Sequence, residues 1–258
     1  MRLFYIEEVR PGQKRCIING SEARHIYKVL RMGIGDSLLL MDKDGTRYKA
    51  VIESIRQGKV NVIIKEVLPP LAPSPVEILV CISMIRSDPL DLVIQKASEL
   101  GASKVQPFYS ERSIVKVPKE RLQSRLRHWN EVAKNAAKQC GRSKPLEVLA
   151  PISLHELLSQ DLDESLCLLL WEQESSVSIK EVLRKAKKRK IIGVIGPEGG
   201  FSKKEVDMLR EKGFISVTMG ARILRAETAA IVFVALAQYE LGDLGLLYDT
   251  KSPFPMRP

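Results

Sequence analysis

The sequence predicts an α/β domain built on a mainly parallel sheet and preceded by a small β-rich module. A proline-rich stretch, "LPPLAPSP" at residues 68–75, divides the chain. Its four prolines block both helix and strand pairing, so it indicates a semi-rigid linker. Short strand-like runs dominate before it, whereas buried strands alternate with helices after it, which is typical of a parallel sheet. We therefore place the module at residues 1–70 and the α/β domain at residues 76–245.

The β-rich module contains four strand-like runs and one short helix. The strands are "RCIING", "DSLLLMD", "TRYKAVIESIR" and "KVNVIIKEVL", and the turn "DKDG" joins the second to the third. Between the first two strands, "SEARHIYKVLRMG" predicts a helix capped by Ser21, with Ile26, Val29 and Leu30 facing inward. Such a module could be an RNA-binding barrel or a structural cap. Its many basic residues favour RNA binding, and the helix carries three of them, Arg24, Lys28 and Arg31.

The α/β half contains two clearly marked helices between apolar strands. The helix "SDPLDLVIQKASELG" ends at Gly101, as helices commonly do. A longer helix spans about residues 119–140, because its apolar residues recur at spacings of four and three. The strands, in chain order, are "VEILVCISM", "SKVQPFYS", "ESLCLLLWEQ", "KIIGVIG" and "FISVTMG".

Composition narrows the class of partner. The formal net charge is +10 and the sequence pI is about 9.4, which favours an anionic partner, most commonly nucleic acid. The four cysteines and three histidines are scattered, so we predict no metal site. The most apolar runs, "LCLLLW" and "AAIVFVALA", are shorter than the ~20 residues that span a bilayer. We expect a cytoplasmic protein that does not enter the membrane.

The loop "IGPEGG" at residues 195–200 predicts a ligand site. It follows a buried strand and leads into a helix that Ser202 and Glu205 open as a capping box. Open α/β sheets bind ligands at this carboxyl edge of the strands. The loop has neither the P-loop order nor G-x-G-x-x-G with a following acidic residue, which argues against nucleoside triphosphates and Rossmann dinucleotides. The alternative is a tight turn that needs positive φ at Gly199 or Gly200.

A second loop, "MGARILRAETAA" at residues 219–230, leads into an almost wholly apolar helix. Such a helix must be buried in the core or against another subunit, yet charged residues crowd its entrance. Those residues have either a ligand or one another as partners. The alternative to a ligand is an Arg–Glu pair with Thr228 as an ordinary N-cap. Because the two loops end adjacent strands, one shared pocket is the better interpretation.

The two loops together resemble the paired signature of the SPOUT RNA methyltransferases. "HIYKVLRMGIGDSLLLMDKDG", "QKASELGASKVQPFYSERS" and "KNAAKQCGRS" extend the likeness over nearly the whole chain, up to about Gly245. The closest resemblance is to the RsmE family, which methylates N3 of a uridine in small-subunit (16S) ribosomal RNA. It implies S-adenosylmethionine as cofactor, a PUA-like barrel, a C-terminal trefoil knot and a homodimer whose subunits share each site.

The resemblance also implies which residues meet the cofactor. S-adenosylmethionine has no phosphate, so its adenine and ribose can be met by backbone groups that glycines expose at close range. Backbone around residues 219–224 would hold adenine, with Gly196 and Gly200 on the opposite wall and Glu172 on a third. The implied set is Ile195, Gly196, Gly199, Gly200, Met219, Gly220, Ile223, Leu224, Glu227, Thr228, Ala229 and Glu172.

Uridine N3 is a poor nucleophile while it keeps its proton, so the site should accept that proton or stabilise the resulting anion. Arg225 is the candidate for charge stabilisation and Glu198 for the base. Glu198 could instead be a loop carboxylate bonded to nearby amides. We add Asn135, on the long helix, to the catalytic candidates.

Around Asn135 the basic face of the long helix could be merely solvated. With the resemblance, Lys134, Gln139 and Arg142 become part of an RNA-facing rim, to which Arg112 in "SERS" also belongs. The alternatives to this enzyme are a non-catalytic RNA-binding protein and a methylase of another RNA base.

Overall fold

The computed structural model describes residues 2–6, 8–10, 12–68 and 74–246. Most of the predicted linker and the tail beyond residue 246 lie outside these ranges. The chain divides into two compact units. The first contains the amino-terminal module together with residues 138–144, and the second contains residues 74–137 and 145–246.

The first unit contains, within the described residues, a five-stranded sheet in the order β1-β3-β4-β5-β2. β1 runs parallel to β3, and the other neighbours are antiparallel. Alternating apolar residues of the strands pack with Ile26 into one core. The elements are β1 Leu3–Tyr5, β2 Arg15–Ile18, α1 Gly20–Arg24, β3 Ser37–Met41, β4 Arg47–Arg56 and β5 Lys59–Leu68.

The predicted short helix of this unit differs from the expectation at both ends. It begins at Gly20 after Asn19, so Ser21 lies inside it and is not the cap. From His25 to Val29 it continues as a π-helical turn, in which the Leu30 amide donates to the His25 carbonyl at 2.9 Å. The wider turn changes which side chains face the sheet. Val29 is consequently 67% exposed, and its predicted inward position is wrong.

The second unit is an α/β fold with a parallel sheet, as predicted. The sheet order is β12-β10-β11-β6-β7-β8, with β9 paired to β7, and every pairing is parallel. The elements are β6 Glu77–Ser83, α2 Ser87–Glu99, β7 Lys104–Tyr109, α3 Lys119–Cys140, β8 Glu147–Val148, β9 Ile152–Ser153, α4 Leu154–Leu158, β10 Ser165–Leu170, α5 Ile179–Lys185, β11 Lys190–Ile195, α6 Lys203–Glu211, β12 Ile215–Val217 and α7 Ala226–Leu241.

Helices cover both faces of this sheet. Apolar residues of α2, α3, α5 and α7 pack on one face, and those of α4 and α6 on the other. The predicted stripe of α3 is confirmed, with Trp129, Ala133 and Ala136 buried. Helix α7 contacts β6, β11, α2 and α5, and it approaches β11 closely because Gly193 leaves room for Phe233.

The described residues contain neither a membrane-spanning helix nor a cluster of metal ligands. No helix there is long and apolar enough to cross a membrane. No group of three or more His, Cys, Asp or Glu residues in the same ranges is placed to hold a metal ion.

Candidate active site

A cavity of about 850 Å³ opens at the carboxyl edge of the parallel sheet. Residues that follow five strands contribute to it, because parallel strands end at the same edge. Its size lies in the usual range of small-molecule sites. The walls are Arg86 and Pro89 after β6, Ile114 and Val115 after β7, 170–172 at β10, 195–200 at β11, and 217–227 with Ala229 after β12.

The glycine loop after β11 is both a tight turn and a cavity wall. The Gly200 amide donates to the Pro197 carbonyl at 2.9 Å, and Gly200 has φ +68°. This is the left-handed region, which glycine adopts without steric cost. A Cβ at Gly200 would displace the exposed Glu172 carboxylate, which lies directly against the glycine on the neighbouring wall. The turn and ligand interpretations are therefore compatible.

The capping box predicted at the end of this loop is confirmed. The Ser202 hydroxyl accepts from the Glu205 amide, and the Glu205 carboxylate accepts from the Ser202 amide at 2.9 Å. Glu205 is only 5% exposed, and its second oxygen accepts from the Glu111 amide at 2.7 Å. One carboxylate thus fixes the start of α6 and ties it to the loop after β7.

The loop after β12 leaves its charged side chains available to the cavity. Arg225 occupies the N-cap position of α7 with exposed side chain, and Glu227 lies in the first turn. Within the described residues neither forms an ion pair, so the alternative of a structural Arg–Glu pair is not what the chain adopts. Thr228 is exposed and lies inside the helix, so it is not the N-cap. A Cβ at Gly220, with φ +121°, would have open space around it.

The segment after β10 forms a third wall of the cavity, and polar contacts of Arg210 and Glu174 hold it in place. Arg210 stacks over the Trp171 ring at 5.0 Å and donates to the Ser216 hydroxyl at 2.9 Å. The Glu174 carboxylate accepts backbone N–H bonds, the shortest from Ser176 at 2.8 Å. That bond is the main reason that the pKa of Glu174 is lowered. A carboxyl with a lowered pKa stabilises the turn at neutral pH and loses this effect as the pH falls through its pKa.

The cavity brings together most of the predicted site residues. Glu198 and Arg225 line it, as do all the predicted cofactor residues except Thr228. The exposed Glu198 carboxylate has no hydrogen-bond partner in the part of the chain that the structure describes. It is therefore not a loop carboxylate bonded to nearby amides.

The sequence interpretation missed the cavity residues that follow β6 and β7. These are Arg86, Pro89, Ile114 and Val115. Arg86 directly follows the buried run "VCISMI", and β6 lies in the middle of the sheet. A polar residue at the carboxyl end of a central strand was the signal that could have found it.

None of the predicted RNA-facing residues lines this cavity. Asn135 and Gln139 are exposed on α3, Lys134 is half-buried there, and none of them lines the cavity. Arg142 follows α3 in the first unit, where its carbonyl accepts from the Tyr5 hydroxyl at 2.7 Å. Arg112 is exposed and donates to the Gly199 carbonyl at 2.8 Å. On the first unit the other three, Arg24, Lys28 and Arg31, are all exposed.

Known proteins share this arrangement. An RNA methyltransferase domain profile matches residues 72–238, more than half of the chain, and an RNA methyltransferase PUA domain profile matches residues 18–65. A ribosomal RNA small subunit methyltransferase E from Bacillus subtilis is 31% identical over 86% of this chain and 89% of its own. The chain belongs to this methyltransferase family. The family member from Aquifex aeolicus is 29% identical over 92% of this chain and 98% of its own.

Solved structures support the same family and fold. A methyltransferase from Legionella pneumophila, in complex with the bound cofactor SAM, is 31% identical with a TM-score of 0.84 and covers 94% of this chain and 98% of its own. A ribosomal RNA small subunit methyltransferase E from Neisseria gonorrhoeae, bound to S-adenosyl methionine, is 30% identical with a TM-score of 0.83 and covers 95% and 99%. The protein is accordingly an RNA methyltransferase with a PUA domain.

Proposed function

We propose that the protein transfers a methyl group from S-adenosylmethionine to N3 of a specific uridine in small-subunit (16S) ribosomal RNA. The observation that carries this proposal is the glycine-walled cavity at the carboxyl edge of the sheet, found in a member of the ribosomal RNA small subunit methyltransferase E family. The family name supports ribosomal RNA of the small subunit as the substrate. The cavity supports this edge of the sheet as the site of methyl transfer.

The cavity residues fit S-adenosylmethionine. The glycine at position 200 has a positive φ that disfavours a side chain, and the absence of a Cβ leaves its backbone accessible to a ligand. The cofactor carries both positive and negative groups. Carboxylates and guanidinium groups both line the cavity, namely Glu172, Glu198, Glu227, Arg86, Arg222 and Arg225. S-adenosylmethionine supplies the methyl group on a positively charged sulfur.

Two side chains of the cavity are suited to the uracil. Glu198 is exposed to the cavity without a hydrogen-bond partner among the described residues, so its carboxylate is available to accept the N3 proton. Arg225 presents a guanidinium whose planar donors suit the negative charge that develops on the uracil oxygens. Neither role needs a metal ion.

Methylation of ribosomal RNA from a strain that lacks this activity tests the proposal. The product nucleoside, identified by mass spectrometry, is expected to be 3-methyluridine from one position of the small-subunit RNA. Methylation of a different base would support the proposal that the protein is an RNA methyltransferase but would contradict uridine N3 as its target. Cofactor binding without methylation of any RNA, or no binding at all, would favour a non-catalytic RNA-binding protein.

We propose residues 1–70 as an RNA-binding barrel and residues 76–245 as the methyltransferase domain. In support, β5 ends at Leu68 and β6 begins at Glu77. The helical segment of the barrel exposes Arg24 and Lys28 together, and phosphate contacts dominate the affinity of proteins for RNA.

Lys28→Ala is expected to weaken RNA binding while leaving cofactor affinity unchanged. Loss of one phosphate contact reduces the slope of log affinity against log salt by about one. Lys212→Ala is the matched control, because Lys212 lies at the far end of α6, opposite the cavity edge. RNA titrations at several salt concentrations check this. Equal slopes for the two variants would leave the barrel without an RNA role at this face.

The protein is proposed to form a homodimer through α7. One face of this helix is buried, and the other leaves apolar side chains half-buried or exposed at helical spacing, namely Ile231, Val232, Leu236 and Tyr239. An apolar stripe of this kind is typical of a subunit interface. A partner subunit could bring Asn135 of its α3 towards the site, which would give that residue the catalytic role that a single chain does not provide.

Val232→Asp is expected to convert the dimer to a monomer, because a buried carboxylate at an interface lacks compensation. Light scattering after size exclusion measures the change as a halving of mass. Leu92→Asp, on the half-exposed face of α2, is the control and should keep the native mass. A native chain that is already monomeric would refute the proposal.

A C-terminal trefoil knot completes the proposed fold. In support, β12 lies at one edge of the sheet, whereas the helix that follows it returns across β11 and β6 to α2. Mechanical stretching of a knotted chain should give a shorter unfolded length than 258 residues allow.

Activity on ribosomal RNA further implies a cytoplasmic location.

A further inference from the structure

The loop that follows β7 is fastened to the end of β6 by three serine hydroxyls. Ser83, Ser110 and Ser113 lie within 2.7–2.9 Å of one another through their Oγ atoms. Three hydroxyls can each donate one proton around such a ring, so all three contacts can be satisfied together. The Ser113 hydroxyl also accepts from the Ser110 amide at 2.9 Å. Ser83 is fully buried, so the ring is anchored in the sheet.

Two further bonds join this loop to the glycine loop and to the helix that follows it. The Glu111 amide donates to Glu205, which also fixes the start of α6. The Arg112 guanidinium donates through Nη1 to the Gly199 carbonyl at 2.8 Å. A Cβ built on Gly199 would lie 3.7 Å from both Cβ and Cδ of Arg112, so the stem of the arginine lies along the outside of the glycine turn.

From these contacts we infer that Arg112 is a positioning residue for the cofactor cavity, rather than the RNA contact that its charge suggests. The inference rests on the proposed function, since it assigns a role at the same site. The guanidinium donates a hydrogen bond to the Gly199 carbonyl and thereby holds the turn in which Gly200 adopts positive φ. Arg112 itself does not line the cavity, so it acts through the loop.

The same anchored loop supplies a wall of the cavity. Ile114 and Val115 follow directly after the serine ring and line the cavity, although Ile114 is 79% exposed. The bond from Arg112 to Gly199 therefore connects two cavity walls, one after β7 and one after β11. Without it, the bond from the Glu111 amide to Glu205 still ties the loop after β7 to the start of α6, but within the described residues no side-chain bond from that loop holds the glycine turn itself.

Arg112→Ala tests the inference in the full-length protein. We expect cofactor affinity, measured by calorimetry with S-adenosylmethionine, to fall about tenfold, and RNA affinity measured without cofactor to stay unchanged. A tenfold change corresponds to about 1.4 kcal/mol, the lower end of what a charge-assisted hydrogen bond contributes. Arg112→Lys keeps a donor and should recover part of the affinity. Arg127→Ala, which removes an exposed arginine of α3 outside the cavity, is the control and should leave both affinities unchanged.

Amide hydrogen exchange gives a readout that does not depend on the cofactor. The Gly200 amide is bonded to Pro197, and its exchange should accelerate in Arg112→Ala and remain native in the Arg127→Ala control. Unchanged exchange and cofactor affinity, or a loss of RNA affinity alone, would overturn the inference. A native protein that binds no S-adenosylmethionine would reject the proposed function, whereas faster exchange in Arg112→Ala would still support the positioning role.

Discussion

Replacing Arg225 by alanine is expected to slow methyl transfer about a hundredfold while cofactor affinity stays close to native. Stabilisation of a developing anion by one placed donor is typically worth about 3 kcal/mol in the transition state. The neutral adenine edge gains little from a guanidinium, so binding of the cofactor should be nearly unaffected. Arg225→Lys keeps the charge but loses the planar guanidinium, and its rate should fall between the rates of the native protein and Arg225→Ala. Single-turnover rates measured beside calorimetry separate chemistry from binding.

The pH dependence of the Arg225→Ala rate distinguishes anion stabilisation from a structural role. As the pH rises, more of the uridine loses its N3 proton without help, so the rate of the variant should recover partly. Arg127→Ala is the control and should keep the native rate and pH profile, since Arg127 is an exposed arginine of α3 that does not line the cavity. A variant with weakened cofactor binding, lowered thermal stability and a flat pH response would remove Arg225 from the catalytic residues.

Gly200→Val is expected to weaken S-adenosylmethionine binding by about 10- to 100-fold. The new side chain would occupy space at the cavity wall and displace the exposed Glu172 carboxylate from its place there, and a loss of fit of this kind costs about 1–3 kcal/mol. The side chain must also adopt φ +68°, which costs an L-residue about 1–2 kcal/mol of stability. Calorimetry with the cofactor measures the first effect and thermal unfolding the second.

Gly213→Val is the control that isolates backbone strain in this test. Gly213 has φ +92° and open space around its Cβ position, and it lies beyond α6, away from the cavity. It should lose stability without losing cofactor affinity. Gly196→Val makes a poorer test, because its Cβ would lie 3.0 Å from the ring of the buried Phe201 and disturb the core as well. Equal cofactor affinity in Gly200→Val and Gly213→Val would remove Gly200 from the cavity wall.

The sequence carries enough local information to predict the sheet and both cavity loops. Alternation of apolar runs with helical periods indicates a parallel sheet, and Ser202 with Glu205 marks where α6 begins. Parallel strands bring the two loops to one edge, but the expectation that they end adjacent strands is wrong, because β10 lies between β11 and β12. The prediction of Glu198 and Arg225 in one cavity follows from that geometry, although their chemical roles stay predictions.

Other features depend on contacts between distant parts of the chain, which local pattern does not encode. Val29 is exposed because a π-helical turn shifts the register, and nothing in "HIYKVL" announces that turn. Arg86 and Ile114 reach the cavity only because β6 lies between β11 and β7, an order that periodicity does not give. The bond from Arg112 to Gly199 spans 87 positions, and charge alone suggested a different partner for Arg112.

The seven residues that follow Ala137 change how the first unit can be exchanged between relatives. Residues 138–144 belong to that unit, where Lys138 pairs with Glu22 and stacks on Tyr5, whose hydroxyl meets the Arg142 carbonyl. A chimaera cut only at the proline linker would combine a barrel from one protein with a helix terminus from another. Three crossover points are needed, one at the linker and one on each side of residues 138–144. The first unit is thus one compact unit of structure that two separate stretches of the gene encode.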